Sequence, residues 1–508
     1  MQTEGAPLPL IVVDGHELPK KSCAVNRWVM EKLRTCEVWT CDHYNCFQAN
    51  PFYVLVHGQA GSGKSLLLKS IANGVRSHFE YDDSCIVTAP VAIAANLVGG
   101  KTIHSTFILE WGETSQPIDR FMANATDQIL TNLSWMKKAK ILLIDNINSV
   151  GAVDFARIDH RLQQVTGREK RFGGLSVIAF GDFHQVPPVK DLWIFEDLKP
   201  EYQEKAKEKT PESPEKLWTL FKIVELESQN WRDIKEQKFF NFMRDGFKEK
   251  EEELRKYLND WCVVFPDQQE TLDALVTYFQ NIHDRDHDFA FLCVNDKIAS
   301  DINDKIASNI NAAIVESLGN WTVFRPEDSN KDRYAKKWKP NSKDLIVATG
   351  SPVVLLDNCQ ITAGALQQEI TAGAIGRVEK ITDHDISVRF PNGQQVQIKR
   401  LKYKSGGTWF QQFPLRLAYA HTVEKAQGAT FDKIILVRND TWNPKEIRCW
   451  GSHNFHGKLY TAMSRCRNLK NCGIIPMRGL QWVCEQKVPE ELERMRRDNS
   501  LESNFIAF

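Results

Sequence analysis

His57-Gly-Gln-Ala-Gly-Ser-Gly-Lys-Ser65 is the stretch that decides the fold. Its last eight residues have the spacing G-x-x-x-x-G-K-S. They lie between an apolar run at 52–56, typical of a buried strand, and a run at 66–72, typical of a helix. A strand, a glycine-rich loop and a helix in this order form a phosphate-binding loop, because backbone N–H groups and the helix start surround phosphate oxygens. The stretch therefore predicts a nucleoside triphosphate site in an α/β fold.

All eight loop residues are expected to contact the nucleotide: Gly58, Gln59, Ala60, Gly61, Ser62, Gly63, Lys64 and Ser65. The Lys64 ammonium would reach the β- and γ-phosphates, and the Ser65 hydroxyl would bind Mg²⁺. A second Mg²⁺ ligand should follow another buried strand, and Asp145 ends the apolar run Ile141-Leu-Leu-Ile-Asp145. ATP and Mg²⁺ are thus the expected substrate and cofactor.

Length and composition set wider bounds. The 508 residues predict two to four domains. Lys plus Arg equals Asp plus Glu, at 65 each, which neither favours nor excludes a nucleic-acid partner. No apolar run approaches about 18 residues, so we expect no membrane span, and the first residues lack the pattern of a secretory signal. Twelve scattered cysteines favour reduced thiols in an intracellular, soluble protein.

One cysteine cluster leaves two interpretations open. Cys36, Cys41, His43 and Cys46 could ligate zinc, since thiolate and imidazole are its usual ligands. Their spacing lacks a CxxC pair, so free thiols are the alternative.

Strand and helix patterns divide the chain further. Apolar runs at 52–56, 85–89, 141–145 and 175–181 alternate with helical patterns, which is typical of a parallel sheet. A second α/β pattern begins near 224. Between 370 and 413 the pattern changes to short strands, with the hairpin signal Pro391-Asn-Gly393. This segment predicts a small β-barrel inserted into the second α/β unit.

Seven motifs resemble, in order, those of the PIF (petite integration frequency) family of superfamily 1B DNA helicases, relatives of RecD. They are the phosphate loop, the single-strand-contact segment Thr88-Ala-Pro-Val-Ala-Ile-Ala-Ala95 with Gly99-Gly-Lys-Thr-Ile-His-Ser105, Phe172-Gly-Gly174 with Gly181-Asp-Phe-His-Gln-Val-Pro-Pro188, Leu226-Glu-Ser-Gln-Asn-Trp-Arg232 with the stretch 239–246 that follows it, Thr371-Ala-Gly-Ala-Ile-Gly-Arg-Val378, Pro414 to Phe431, and Gly457-Lys-Leu-Tyr-Thr-Ala-Met-Ser-Arg465. The chain departs from the family pattern at Val91-Ala92, where Thr-Gly is usual, and at Asp233, where Gln is frequent. Its Glu424-Lys-Ala-Gln-Gly428 also replaces the usual His-Lys-Ser-Gln-Gly.

The resemblance implies two tandem RecA-like P-loop NTPase motor domains, with an SH3-like β-barrel inserted in the second. The expected divisions are 1–50 as a lead-in, 51–223 as the first motor domain with a small insertion near 110–138, 224–369 and 414–476 as the second, 370–413 as the barrel, and 477–508 as a helical tail.

The resemblance also implies roles for individual residues. Catalysis is assigned to Lys64, Asp145, Gln185, Arg232 and Arg465, with the two arginines acting on the γ-phosphate. Gln427 and Gly428 join the nucleotide-binding set. Contacts to DNA are assigned to Pro90, His104, Ser105, Thr422 and Lys425.

The implied activity is ATP-driven movement on single-stranded DNA, 5′ to 3′, with unwinding of tailed duplexes. We expect a monomer without a membrane partner, in the nucleus if the host is eukaryotic. A small-molecule kinase would also have a phosphate loop, but it would not need the arginine motif at 457–465 after a barrel insertion.

Asn146 leaves a second hypothesis open. A hydrolysing motor usually has Glu after the Mg²⁺-binding Asp, to orient and deprotonate the attacking water. An amide can hydrogen-bond that water but cannot accept its proton. Asp182, at another strand end, could replace the missing base or could be structural. The alternative function is therefore an ATP- and DNA-binding module with impaired hydrolysis.

Overall fold

A computed structural model describes residues 11–35, 50–109, 126–189, 191–196, 217–227, 233–244, most of 344–437, 456–475 and 487–501, with short strands between 256 and 328. The Cys36–Cys46 cluster, Arg232 and part of the predicted insertion at 110–138 lie outside the described residues. Among the described helices, none combines the length and apolar character that a membrane crossing requires.

The described residues in the first half of the chain form eight strands and six helices. The strands are β1 (Val12–Val13), β2 (His16–Glu17), β3 (Tyr53–Gly58), β4 (Cys85–Ala89), β5 (Lys101–Thr102), β6 (Ile141–Ile144), β7 (Ser176–Gly181) and β8 (Lys222–Leu226). The helices are α1 (Lys20–Thr35), α2 (Lys64–Phe79), α3 (Ala92–Leu97), α4 (Ile103–Phe107), α5 (Asp127–Asn132) and α6 (Ala152–Thr166).

Six of these strands form one parallel sheet in the order β5-β4-β6-β7-β3-β8. Strands β6 and β7 are buried along their whole length because helices cover both faces, as parallel sheets require. One face packs against α6 through residues such as Phe155 and Ile158, and the other packs against α1 and α2 through Val29 and Ile71. The strands predicted at 52–56, 85–89, 141–145 and 175–181 are confirmed within two residues.

The second half is richer in strands. Those are β9 (Val263–Val264), β10 (Phe289–Cys293), β11 (Trp321–Phe324), β12 (Glu327–Asp328), β13 (Leu345–Ala348), β14 (Pro352–Leu355), β15 (Cys359–Ala363), β16 (Leu366–Ile370), β17 (Ile375–Ile381), β18 (Asp385–Arg389), β19 (Gln395–Lys399), β20 (Leu401–Ser405), β21 (Thr408–Gln412), β22 (Leu415–Leu417), β23 (Ala420–Thr422), β24 (Lys433–Val437) and β25 (Cys472–Ile475). The helices are α7 (Ile234–Arg244), α8 (Lys458–Ser464) and α9 (Lys487–Asp498).

A second parallel sheet has the order β23-β10-β24-β25-β9. One of its faces packs against α7 and α8, through Phe239, Met243 and Tyr460 among others. Like the first sheet, it places the loops that follow its strands at one edge, which is where open α/β sheets bind ligands.

An antiparallel sheet of order β19-β18-β17-β14-β22 interrupts the second α/β unit. Its alternating strands bury Val388, Val396 and Ile398 on one face, the pattern of a sheet with one solvated side. The predicted strand pairing around Pro391 is confirmed, since β18 and β19 form an antiparallel hairpin. The sheet also takes in β14 and β22, which lie on either side of the segment 370–413.

Candidate nucleotide site

The phosphate loop joins β3 to α2, in the order that the sequence predicts. Gly61 and Gly63 have φ angles of 83° and 84°, in the left-handed region where a side chain would be strained. Gly63 lies directly before α2, so the unpaired N–H groups of the helix start face the loop. This conformation favours glycine at positions 61 and 63, and it leaves backbone N–H donors that could bind a phosphate.

The Lys64 side chain lies back over its own loop. Its Nζ donates to the carbonyl oxygens of Gly58, at 2.7 Å, and Gln59, at 2.9 Å. Burial lowers the pKa of Lys64 to about 8. A phosphate would stabilise the charged ammonium, so the loop is poised to exchange two neutral carbonyl contacts for an anion.

Ser65 and Asp145 come together as a pair of oxygen ligands. The Ser65 hydroxyl donates to Oδ2 of Asp145 at 3.0 Å, and the N–H of Asn146 donates to Oδ1 at 2.9 Å. Burial raises the pKa of Asp145, although these hydrogen bonds oppose the shift. Hydroxyl and carboxylate oxygens are the hard donors that Mg²⁺ prefers, so the two residues fit the metal that the sequence predicts.

Asn146 follows the Mg²⁺-ligand strand in a left-handed conformation, with φ of 51°. Its side chain is 9% exposed, and Nδ2 has no hydrogen-bond partner among the described residues. Gln59 Oε1 and Gln427 Nε2 are buried without partners in the same described set. Buried polar groups are normally satisfied, so these three atoms are unusual within the described residues.

The second parallel sheet contributes to the same site. The Oε1 atom of Gln427 accepts from the Ser149 hydroxyl at 2.9 Å, just beyond Asn146. Arg465, at the end of α8, donates to the carbonyls of Thr461 and Ala429. Burial dominates the pKa values of Lys64 and Asp145, and the Arg465 charge acts on both of them. Its charge therefore acts to lower the pKa of both residues.

Helix α8 packs directly on the loop that follows β7. The Tyr460 hydroxyl donates to Oδ2 of Asp182 at 2.7 Å and accepts from the N–H of Ala60, in the phosphate loop, at 3.3 Å. The N–H of Val186 donates to the Thr461 hydroxyl at 3.1 Å. Gln185 is buried between these contacts, 4% exposed. Tyr460 thus connects three predicted motifs, a role that the sequence alone did not reveal.

Asp182 has both carboxylate oxygens engaged. Its Oδ2 accepts from Tyr460, and Oδ1 accepts from the His184 N–H at 3.2 Å and lies 3.7 Å from Nη2 of Arg244. Although burial opposes it, the Arg244 charge and a hydrogen bond from the His184 side chain hold the pKa of Asp182 well below its usual range. The carboxylate is therefore charged and structural, which argues against its use as a substitute base. Arg244 belongs to the stretch quoted after Arg232, but no role was predicted for it.

His57, Asp182 and His184 are the one group of metal-ligating side chains found together in the described part of the chain, with ligand atoms within 4.8 Å of one another. Arg244 occupies the position that a cation would need, since its Nε lies 3.3 Å from Nδ1 of His184. The group is better described as a buried charge cluster behind the phosphate loop.

The residues predicted to contact DNA fall into two segments that approach each other. Gly428 follows the turn capped by Thr422, whose hydroxyl accepts from the Lys425 N–H at 3.4 Å. A Cβ atom on Gly428 would lie 3.0 Å from Cα of Ala94 in α3, shortly after Pro90. The structure thereby joins the Pro90 and Thr422 segments across the two parallel sheets.

His104 and Ser105 lie on α4, which follows Thr102, and the Ser105 N–H donates to the Thr102 hydroxyl at 3.3 Å. The Nε2 atom of His104 lies 3.6 Å from Oδ2 of Asp154. Burial lowers the pKa of His104, so the ring favours its neutral form. Ser105 thus has a backbone role in capping α4 besides the contact predicted for it.

Comparison with known proteins agrees with this geometry. The sequence profile of the family described as PIF1-like helicase matches residues 42–259. The ATP-dependent DNA helicase Pif1 of Bdellovibrio bacteriovorus is 26% identical over 449 residues, covering 86% of this chain and 87% of that relative. A crystal structure of Bacteroides Pif1 helicase in complex with ADP-AlF3 and ssDNA has a TM-score of 0.59 at 25% identity, covering 92% of this chain and 96% of the other.

The Pif1 helicase of Candida albicans shares the fold, with a TM-score of 0.63 at 17% identity over 96% of this chain and 100% of the other. The architecture is therefore the α/β RecA-like helicase fold. The motif order, the phosphate loop and the matched profile agree with one another, and the chain is similar to the PIF1-like helicases.

Proposed function

We propose that this ATP-hydrolysing helicase translocates 5′ to 3′ on single-stranded DNA and unwinds tailed duplexes as it moves. The observation that carries the proposal is the contact of α8 with the phosphate loop through Tyr460 and Ala60. Nucleotide bound at the loop would change the packing between the two parallel sheets. DNA held across both sheets would then be advanced by a hinge motion.

The catalytic roles follow from the positions of the side chains. Lys64 exchanges its carbonyl contacts for the β- and γ-phosphates, and Arg465 approaches the γ-phosphate from α8. Arg232, outside the described residues, is proposed as the other arginine that acts on the γ-phosphate. Gln185, between the phosphate loop and α8, is proposed to sense the γ-phosphate. Phosphoryl transfer depends mainly on such positioned charge.

Ser65 and Asp145 are proposed to hold Mg²⁺, which neutralises charge on the phosphate oxygens when it is bound. Gln427 and Gly428 complete the nucleotide contacts from the second sheet. Single-strand contacts are proposed for Pro90, His104, Ser105, Thr422 and Lys425, since backbone contacts rather than base-edge contacts dominate non-specific single-strand binding.

The domain divisions expected from the sequence remain our proposal, including the SH3-like barrel. The antiparallel sheet supports the barrel because β17 and β18 shift register between Val378 and Lys380. Such a bulge bends a strand and helps a small sheet to curl. We also propose a monomer acting inside the cell, in the nucleus of a eukaryotic host.

A second candidate function is supported by Asn146. The Asp182 carboxylate is engaged by Tyr460, His184 and Arg244. Since Asn146 has no carboxylate, neither Asn146 nor Asp182 provides a free one next to the proposed Mg²⁺ ligands. Loss of a general base slows hydrolysis by about 10²–10⁴-fold. The chain would then bind ATP and DNA and turn over slowly.

The two functions are separated by a DNA-stimulated ATPase assay coupled to strand displacement on 5′- and 3′-tailed duplexes. Unwinding of the 5′-tailed substrate alone supports the proposed helicase, and the Lys64→Ala variant should abolish it. Unwinding of the 3′-tailed duplex would overturn the direction. Tight ATP binding without hydrolysis or unwinding would favour the second function.

A further inference from the structure

The C-terminal helix α9 returns from the second α/β unit to the first sheet. Val488, Leu492 and Met495 are buried in the same core as α6 and β7. Past the helix, the Ile223 N–H donates to the Asn499 carbonyl at 2.9 Å, and the Leu501 N–H donates to the Ile223 carbonyl at 3.0 Å. Residues 499–501 thereby continue the sheet beyond its edge strand β8.

Arg496 of α9 binds Glu225 on β8 with two hydrogen bonds. Its Nε donates to Oε2 at 2.9 Å and its Nη2 donates to Oε1 at 2.7 Å. This bidentate geometry is the strongest form of an arginine–carboxylate pair. The Arg496 side chain is 45% exposed and that of Glu225 is 32% exposed, so solvent screens the pair and limits its effect on stability.

Glu225 also contacts the residue that precedes the phosphate loop. Strands β3 and β8 run parallel with His57 opposite Glu225, and Nδ1 of His57 lies 3.2 Å from Oε1 of Glu225. Burial opposes ionisation of Glu225, but hydrogen bonds from His57 and Arg496 lower its pKa. The same carboxylate oxygen thus joins the imidazole to the guanidinium of α9.

His57 is fully buried and is covalently joined to Gly58, whose carbonyl holds Lys64 at 2.7 Å. The opposite side of the ring faces Asp182, with Nε2 3.7 Å from Oδ1, and Phe183 stacks on the ring. The orientation of the imidazole is therefore fixed by Glu225 on one side and packing on the other. A change in that orientation would move the backbone from which Lys64 reaches the phosphates.

We propose that the C-terminal helix tunes the affinity of the phosphate loop for nucleotide, with Arg496 and Glu225 as positioning residues that act through His57. The inference rests on the proposed function because it requires that the loop bind nucleotide. It goes further in assigning a regulatory role to a helix outside all seven motifs. A partner or modification that moves α9 would then change nucleotide affinity without touching the nucleotide.

The test uses the full chain and a fluorescent ADP analogue with Mg²⁺, titrated without DNA. Arg496→Ala is expected to weaken binding about three- to tenfold, the range of mutations that act through a packed network. In an ATPase assay the same variant should raise KM with kcat within about twofold of the parent value. The matched control is Arg497→Ala, because Arg497 is 75% exposed and pairs with its neighbour Asp498.

Arg496→Lys keeps the charge and should restore part of the affinity, which separates positioning from loss of folding. Glu225→Gln should weaken binding as much as Arg496→Ala, and the double variant should be no weaker than either, because both interrupt the same path. Urea unfolding checks that each variant is folded.

Parent-like nucleotide affinity in folded Arg496→Ala, or additive effects in the double variant, would overturn the inference. That result leaves the proposed helicase function intact, since parent activity is measured separately. Conversely, a parent protein that binds the ADP analogue but fails to unwind DNA contradicts the proposed function. The effect of α9 on nucleotide affinity is still decided by the binding data for the Arg496 and Glu225 variants.

Discussion

At the scale of single residues, the candidate nucleotide site combines the residues of a phosphate loop with one unusual position. The Ser65 hydroxyl donates to Asp145, so the two predicted Mg²⁺ ligands lie together, whereas Lys64 donates to carbonyl oxygens of its own loop. Asn146, beside them, has a buried amide nitrogen without a partner among the described residues. Asn146 is therefore the position at which the proposed rate of hydrolysis can be tested.

Asn146→Glu should increase DNA-stimulated ATP hydrolysis, because a carboxylate can accept the proton of the attacking water. The increase should be at least about tenfold, given the typical effect of a general base. Steady-state ATPase assays with saturating single-stranded DNA measure it, with Asn146→Gln as the control that changes size without adding a base. An unchanged rate in Asn146→Glu, with Lys64→Ala inactive, would show that position 146 does not limit the reaction.

Nucleotide affinity should depend on pH through Lys64. Burial lowers its pKa to about 8 in the free protein, whereas a bound phosphate favours the charged ammonium and raises it. Affinity should therefore be constant below about pH 8 and fall as the pH rises above it, by up to about tenfold per unit. Titrations of the ADP analogue from about pH 6.5 to 9.5 measure the profile, and Lys64→Met should remove the alkaline limb.

Tyr460→Phe should destabilise the junction of α8 with the phosphate loop. The substitution removes the hydroxyl that donates to the Asp182 carboxylate and accepts from the Ala60 N–H in a buried region. The expected cost is about 1–3 kcal/mol in the free energy of unfolding. Urea denaturation measures it, and Tyr403→Phe, a substitution on the antiparallel strand β20, is the control for loss of a hydroxyl away from the site.

At the scale of elements, local sequence patterns predict the helices and strands well, but they do not predict which elements pack against one another. The phosphate loop and strands β3, β6 and β7 could be predicted, because each pattern is contiguous in the sequence. The charged helix near 490–497 could also be predicted, but its pattern does not identify what the apolar face covers. The contacts of Tyr460, Arg244 and Arg496 join residues far apart in the chain, which no local pattern encodes.

Leu492→Ala should reveal how much α9 stabilises the first sheet. Leu492 is 2% exposed within a core shared with α6. Removing a buried leucine side chain costs about 2–5 kcal/mol, depending on how far the cavity collapses. Urea unfolding measures the loss, with the exposed Arg497→Ala as control, and equal stability of the two variants would contradict the docking of α9.

At the scale of the whole molecule, the two parallel sheets meet where α8 touches the phosphate loop and where Gly428 touches α3. Gly428 has φ of 83°, and Gly373 also approaches α3, beside Ala92. These contacts connect the segments assigned to DNA with the segment assigned to nucleotide. Coupling between the two ligands should therefore be sensitive to side chains added at this junction.

Gly428→Ala should reduce DNA stimulation of ATP hydrolysis more than it reduces binding of the ADP analogue, because the new methyl group separates the sheets at α3. Gly350→Ala is the matched control, since Gly350 has a similar φ of 87° and a methyl group added there would meet no described atom within 4 Å. If Gly350→Ala reduced DNA stimulation of ATP hydrolysis as much as Gly428→Ala, backbone strain alone would explain the loss.

The docking of both α1 and α9 on the first sheet has a mechanical consequence. Val13 and Leu501 belong to one apolar core, so residues near both ends of the described chain sit on the same body. A force applied between residues 11 and 501 in an optical trap would stretch the first sheet with its helices. It would apply no force across the cleft between the two parallel sheets. Handles that report stepping must therefore be attached one to each sheet.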